Sequence, residues 1–374
     1  MSVAVGRLGR LESIDALRGA AILGMILVNN PGSPSRPFAT LRHAAWNGFT
    51  LADAVFPGFL FVMGMSMAQS FAHRRGGVGA GASLLWPRVL RRSVILVALG
   101  LALNFVVPLV DGPLRVPGVL QRIGLTYLLA SATVLLTPRR WYLALVPVIL
   151  LGYAWVMSKV AVPGFGAGVL TPEGNLAGFV DRSVFGQDHL YRLGPYDPEG
   201  LLSTLPAVAT VLLGYAAGDW VRVRVRAGRS WAAAGLVAAG VLALATSALW
   251  SSVLPINKRL WSSSFVLWSG GFALLAAALV YEVVEHRRMG RSLSKPLVVL
   301  GFNALAVYLV SELIGRVLEF HWAGGRPVRE WVYEQAFRPW AGARLGSLCY
   351  SLAFVTALTG VAALAYRRRL SLRL

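Results

Sequence analysis

The sequence predicts an all-α polytopic membrane protein with about ten transmembrane helices. Three observations predict it. The chain of 374 residues is 56% hydrophobic and only 14% charged, whereas soluble domains carry roughly 25% charged residues. Its mean hydropathy is +0.62. Its apolar residues gather into runs close to the ~20 residues that a helix needs to cross the hydrocarbon core. The runs lie near 14–30, 51–71, 93–110, 117–136, 141–158, 201–221, 231–250, 262–283, 296–315 and 346–366.

The first run is short and ends at Asn29-Asn30-Pro31 with no small-residue cleavage site, so it reads as a span rather than a signal peptide. Asp15 and Arg18, three apart at its start, suit an ion pair. The second run opens at Leu51, and Asp53 in its first turn is placed either to cap the helix or to serve chemistry. The motifs Gln121-Arg122 and Asn257-Lys258 fall at helix ends on the side where the second run begins. Glu312 lies well inside the ninth run, where an ionisable residue is either a helix–helix hydrogen bond or a functional group. The tenth encloses Cys349, the single cysteine, which reads as a packing residue without a disulfide partner.

Charge sets the expected orientation. Most of the 36 basic residues alternate onto one side: Arg7, Arg10 and Arg18; Arg74, Arg75, Arg88, Arg91 and Arg92; Arg139 and Arg140. Arg222, Arg224, Arg226 and Arg229 follow, then Arg287, Arg288, Arg291 and Lys295, and finally Arg367, Arg368, Arg369 and Arg373. Cytoplasmic loops retain positive charge, so both termini are expected in the cytoplasm. The net charge of +20 is then mostly topology and lipid-headgroup contact. No basic face on a soluble module points to nucleic acid. The chain reads as one domain, 1–374, with no sequon and no spacing suited to a metal.

Two long connections face the other side. Residues 159–200 hold Glu173, Asp181, Asp188, Asp197 and Glu199, and read as a lid or as a plain connector. Residues 316–345 hold Trp322 and Trp340. On that side His43, between the first two runs, is the histidine best placed to act as general base or acyl acceptor. No Ser or Cys elbow flanks it, and His189 and His321 compete for the role.

Several blocks carry a resemblance. They are Ser13-Ile14-Asp15-Ala16-Leu17-Arg18-Gly19, Val28-Asn29 and His43-Ala44-Ala45-Trp46-Asn47-Gly48-Phe49-Thr50-Leu51-Ala52-Asp53. Then come Arg115-Val116-Pro117-Gly118-Val119-Leu120-Gln121-Arg122 and Tyr196-Asp197-Pro198-Glu199-Gly200-Leu201-Leu202-Ser203. Pro255-Ile256-Asn257-Lys258-Arg259-Leu260-Trp261 and Gly301-Phe302-Asn303-Ala304-Leu305-Ala306-Val307-Tyr308 complete the set. In this order they resemble the heparan-α-glucosaminide N-acetyltransferase family, and the chain looks like a compact bacterial member of it.

The resemblance implies transfer of acetyl from cytoplasmic acetyl-CoA to the amine of a glucosamine-type sugar across the membrane. It implies His43 as the catalytic histidine and Asn29 as an asparagine close to the thioester. Asp53 is expected to complete the catalytic set by fixing the His43 tautomer. Trp46, Asn47, Asp197, Glu199, Asn257 and Lys258 are expected to meet the sugar, and Gln121, Arg122, Asn303 and Glu312 the acetyl-CoA. The expected partners are acetyl-CoA, an amino-sugar or glycan and the lipid of a bacterial inner membrane. A homodimer is compatible with the sequence. Direct transfer and a ping-pong path through acetyl-His43 both stay open, as do O-acylation of an envelope polysaccharide and transport of a sugar-containing substrate.

Overall fold

The structure is a computed structural model that describes residues 11–72, 84–106, 113–138, 141–226, 231–287, 291–319 and 325–368. Arg7, Arg10, Arg74, Arg75, Arg139, Arg140, Arg229, Arg288, Arg369 and Arg373, with His321 and Trp322, lie outside the described residues.

The chain is an all-α bundle. Its helices are α1 (Glu12–Asn29), α2 (Leu51–Ala72), α3 (Trp86–Val106), α4 (Val119–Leu136), α5 (Tyr142–Lys159) and α6 (Leu176–Phe185). They continue as α7 (Thr204–Arg226), α8 (Ala232–Trp250), α9 (Ser263–Tyr281), α10 (Arg291–Phe302), α11 (Ala304–Leu318), α12 (Val328–Val332) and α13 (Arg338–Arg367). Among the described residues, seven helices are long and apolar enough to cross a membrane. The count reaches eight if α10 and α11 form one bent span.

About ten spans were expected, and among the described residues each of the ten runs coincides with a helix or, for the ninth, a bent helix pair. The two beyond that count are α1, which carries Glu12, Asp15 and Arg18, and α3, which carries Arg88, Arg91 and Arg92. The ninth run was expected to be continuous, yet it bends by 82° between Phe302 and Ala304. Asn303 leaves helical geometry at the bend (φ −115°, ψ 31°). Just before it Gly301 lies so close to α1 that a Cβ there would sit 2.0 Å from the Asp15 carbonyl oxygen.

Small residues set the closest helix contacts, as is usual where lipid gives no hydrophobic drive to association. Helix α2 lies against α7 with Gly64 facing the Val211 carbonyl and Gly214 facing that of Phe61, leaving no room for a Cβ at either. Helices α1 with α10, α3 with α4, and α8 with α9 form the other main pairs. The core runs through Ile22, Leu60, Leu120, Val211, Leu212 and Phe265, all almost fully buried.

The 159–200 connection is structured. It holds a two-stranded hairpin, β1 (Ala161–Val162) with β2 (Gly166–Ala167), then α6, which Asn175 caps by accepting from the Gly178 N–H at 2.7 Å. Loops from distant parts of the chain meet at one end of the bundle. Val116 N donates to His189 O at 3.0 Å, Trp46 Nε1 to Leu170 O at 2.8 Å, and Gly48 N to Ile256 O at 2.8 Å. His189 Nδ1 is turned to the Leu114 carbonyl at 2.7 Å, so this histidine ties loops together.

Candidate active site

At this loop-rich end His43 precedes α2. Its Nδ1 lies 2.8 Å from Asp53 Oδ1. Asp53 divides its two oxygens between tasks. Oδ2 accepts from Ala44 N at 3.0 Å, Thr50 N at 3.1 Å and Thr50 Oγ1 at 3.0 Å, which closes the start of α2. Oδ1 is left for His43 and for Lys258, whose Nζ is 3.5 Å away. Asp53 thus closes the start of α2 and contacts His43 at the same time. Its side chain is 1% exposed, while that of His43 is 32% exposed.

Lys258 comes from the 255–261 turn. Asn257 organises that turn: its N–H donates to Ser262 Oγ at 3.0 Å and its Oδ1 accepts from Leu260 N at 2.9 Å. Asn257 Nδ2 donates to Asn47 Oδ1 at 3.0 Å, which locks the turn to the His43 loop. Trp261 closes the turn at φ 52°, a strained conformation for a bulky residue. The result places Lys258 Nζ 3.1 Å from His43 Nδ1.

The geometry assigns the His43 tautomer. Nδ1 has an acceptor-only carboxylate at 2.8 Å and the Lys258 ammonium, a donor, at 3.1 Å; the shorter contact puts the hydrogen on Nδ1, pointing at Asp53, and Lys258 turns its own hydrogens to the same carboxylate. Nε2 then holds a free lone pair. Burial pushes His43 below its ordinary titration range, and the Lys258 charge adds to this, against the Asp53 hydrogen bond that pulls it up. The imidazole is therefore neutral at pH 7 and ready to take a proton. Lys258 itself is pushed down to about 8 by burial, against the pull of Asp53 and Glu199. Because its charge lowers His43, Lys258→Gln is expected to move the acidic limb of a pH–rate profile to higher pH. An unmoved limb in that variant would show that Lys258 does not tune His43.

Behind this pair stands an ion-pair network. Arg115 donates through Nε to Asp197 Oδ2 at 2.9 Å and through Nη2 to Asp197 Oδ1 and Glu199 Oε2, both at 2.6 Å. Asp197 also accepts from the N–H groups of Tyr191 and Glu199, each at 2.9 Å. Its lone pairs are thus filled by the chain's own donors. Despite burial, Arg115 holds Glu199 below the usual carboxylate range. Arg122 is 0% exposed, donates to Gly200 O and Ser203 Oγ, and stacks over Trp261 at 5.0 Å. Gln121 Nε2 donates to Val116 O at 3.0 Å. Burial pushes nearby Asp181 up to about 7, with the Asp197 charge adding to it.

At the end of α1 Asn29 Nδ2 donates to Glu312 Oε1 on α11 at 3.4 Å. Glu199 is within electrostatic reach of both Glu312 and Lys258.

A cavity of about 540 Å³ occupies the other half of the bundle. It is lined along α1 from Ile14 to Met25 and along α2 from Phe71 up to Phe59. Arg18, Ser66, Gln69 and Arg92 contribute polar groups, and Asn303 and Tyr308 stand at the α10–α11 break. Arg18 pairs with Asp15 at 3.0 Å, as its spacing predicts, and also donates to Ser66 Oγ at 2.5 Å. The Arg92 guanidinium lies 4.7 Å from the Tyr127 ring centroid. Met25 and Tyr308 at the inner end are four residues short of Asn29 and Glu312, one helical turn or about 6 Å. The cavity therefore begins beside the basic end of the bundle and stops just below the Asn29–Glu312 pair.

The structure brings together His43, Asp53, Lys258, Asn47 and Asn257 in one cluster, with Trp46 holding its loop edge-on to Tyr196 at 4.9 Å. Of the residues expected to meet acetyl-CoA, Asn303 lines the cavity. Gln121, Arg122 and Glu312 lie beyond the lining, toward the His43 end. Arg115, Ser66, Gln69, Arg92 and Tyr127 were not anticipated. Arg115 opens one of the sequence blocks, but its partners are 82 and 84 residues away.

Residues 10–250 match the family model described as the catalytic region of heparan-alpha-glucosaminide N-acetyltransferase. The chain belongs to this family. It is 30% identical over 370 residues to the human heparan-alpha-glucosaminide N-acetyltransferase, covering 84% of this chain and 54% of that protein. To the mouse protein of the same name it is 28% identical over 371 residues, covering 84% and 55%. The chain thus spans about half the length of the curated relatives it matches. The stretch matched by the N-acetyltransferase family model holds Asn29, His43, Asp53, Arg115, Asp197 and Glu199. It ends before Lys258, Asn303 and Glu312.

Proposed function

We propose that this chain is a transmembrane N-acetyltransferase that carries acetyl from acetyl-CoA to the amine of a glucosamine-type sugar. In this reading acetyl-CoA enters from the cytoplasmic side, the sugar is met on the opposite side, and the membrane is a bacterial inner membrane. One observation carries it: a cavity with Arg18 and Arg92 in its wall leads to within a turn of Asn29, and a neutral, oriented His43 lies on the face beyond. Family membership supports the reaction class.

In the mechanism, Arg18 and Arg92 attract the phosphates of the donor, and the apolar wall of Met25, Phe59 and Met63 receives its pantetheine arm. The Asn29 amide donates to the thioester carbonyl as it gains charge. His43 Nε2 takes the proton of the attacking amine. The N–C bond forms, the C–S bond breaks, and the proton held on Nε2 goes to the departing sulfur. The same lone pair also suits a path in which His43 is first acetylated.

The test uses the full chain in sealed liposomes. With acetyl-CoA on one side and radiolabelled glucosamine on the other, N-acetylated sugar is expected without mixing of the compartments. Movement of unmodified sugar with no acetylation would replace this reading with transport.

A further inference from the structure

Asp181 is a buried acid that the mechanism leaves unused. It sits on α6 and is 1% exposed. Its Oδ1 accepts from Leu201 N at 2.8 Å, and no group among the described residues donates to Oδ2. A buried carboxylate oxygen without a donor favours the protonated form. Arg122 on α4 is the cation whose charge reaches Asp181. Its Nη2 donates to Gly200 O at 2.9 Å and to Ser203 Oγ, while Nε and Nη1 meet no acceptor among the described residues. No ion pair joins the two residues. Gly200 touches both. Its carbonyl accepts from Arg122, and its Cα meets Asp181 Oδ2 so closely that a Cβ has no room.

The loop that holds Gly200 is clasped to α6 and leads into the active site. A Cβ at Gly178 on α6 would come 2.7 Å from Pro195 O, and Arg182 donates to that same carbonyl and to Glu173 O at 3.1 Å. Next to Gly200, Glu199 holds Arg115 at 2.6 Å and attracts Lys258, whose Nζ is 3.1 Å from His43 Nδ1. The charged and titratable groups facing Asp181 are Arg122 from α4, Tyr153 from α5 and Asp197 from the loop. Burial, with the Asp197 charge adding to it, is what lifts Asp181 to about 7.

We propose that Asp181 is a positioning residue for acetyl transfer: its carboxyl proton keeps the Gly200 turn seated, and loss of that proton displaces the turn and Glu199 with it. The proposal rests on the acyl-transfer reading above. An ionised Asp181 is drawn to the free Nε–Nη1 edge of Arg122. Gly200 touches both side chains, so their approach moves its peptide. Glu199 follows, and its pull on Lys258 beside His43 changes. Transfer therefore falls as Asp181 ionises.

The experiment uses the full chain in nanodiscs and compares wild type with Asp181→Asn, whose amide has the shape of the neutral acid and does not ionise. The ratio of variant to wild-type kcat should rise about tenfold from pH 6 to pH 8, as the wild-type acid loses its proton. A ratio that stays flat would overturn the proposal, and a merely structural role would give that flat ratio. A ¹⁹F label at Leu201→Cys, with Cys349→Ala, reads the turn without catalysis. Its signal should titrate near pH 7 with Asp181 present and stay fixed with Asp181→Asn. An unmoved signal with Asp181 present would also overturn the proposal, even where Asp181→Asn fails to fold. A titrating signal in a protein that transfers no acetyl at any pH would sink the acyl-transfer reading and keep the Asp181-controlled turn. Melting gives a third readout. The folded carboxyl is raised above its unfolded value, so its contribution is full below about pH 4 and is lost as pH rises to about 7. The melting temperature of Asp181→Asn should accordingly gain on wild type between pH 5 and pH 8, and a constant gap would show that Asp181 is already ionised across that range and overturn the proposal.

Discussion

His43→Ala is expected to fold, to bind acetyl-CoA, and to lose acetyl transfer by about 10²–10⁴-fold, the usual worth of a positioned general base. The fold should survive because Asp53 keeps its three bonds to Ala44 and Thr50, and Lys258 keeps its carboxylate 3.5 Å away. Donor binding should survive because the cavity lining does not include His43. Single-turnover transfer measured beside calorimetry with CoA separates the two effects. If acetyl-His43 forms on the path, wild type also releases a burst of free CoA without acceptor, and the variant does not. A folded variant that transfers acetyl at near the normal rate would remove His43 from the mechanism.

How far the sequence speaks for the fold depends on what each feature rests on. Apolar run length is a local property, and among the described residues each of the ten runs coincides with a helix or a bent helix pair. The 82° bend at Asn303 is not local. It arises where Gly301 meets the backbone of α1, and hydropathy records composition without such contacts. The hairpin and α6 within 159–200 were equally hidden, since strands of two residues leave no alternation to read.

The same division runs through the site. His43 and Asp53 are ten residues apart, and a helix start next to a polar loop already pairs them. Lys258 was legible as part of a block but not as the neighbour of His43, because 215 residues separate them. Arg18 was legible as a partner of Asp15, three residues away, but not as a wall of the cavity. That wall needs Ser66 and Arg92 from two other helices, and no spacing in the chain foretells the three together.

Asp53→Asn is expected to lower transfer by about 10²–10⁴-fold while melting only modestly lower. The argument is a count of donors. Oδ2 faces three donors and Oδ1 faces His43 Nδ1 and Lys258. An amide has one oxygen, so its NH₂ must face donors on one side. The escape with least disruption keeps the oxygen toward Ala44 and Thr50 and turns the NH₂ to His43. Nδ1 then gives up its hydrogen to become an acceptor, the hydrogen moves to Nε2, and the lone pair that takes the substrate proton is gone. The equivalent change in a serine-protease triad costs about 10⁴ through the same tautomer error. Lys258 loses its nearest counter-charge but keeps the attraction of Glu199, so the loss of stability should stay below the ~3–5 kcal/mol of a fully broken buried pair. The KM for acetyl-CoA should hold while kcat falls. The acidic limb of the residual activity should move to lower pH, because the bond that raises His43 is lost. A variant that melts lower yet transfers acetyl at the normal rate and with an unmoved limb would reduce Asp53 to a helix cap.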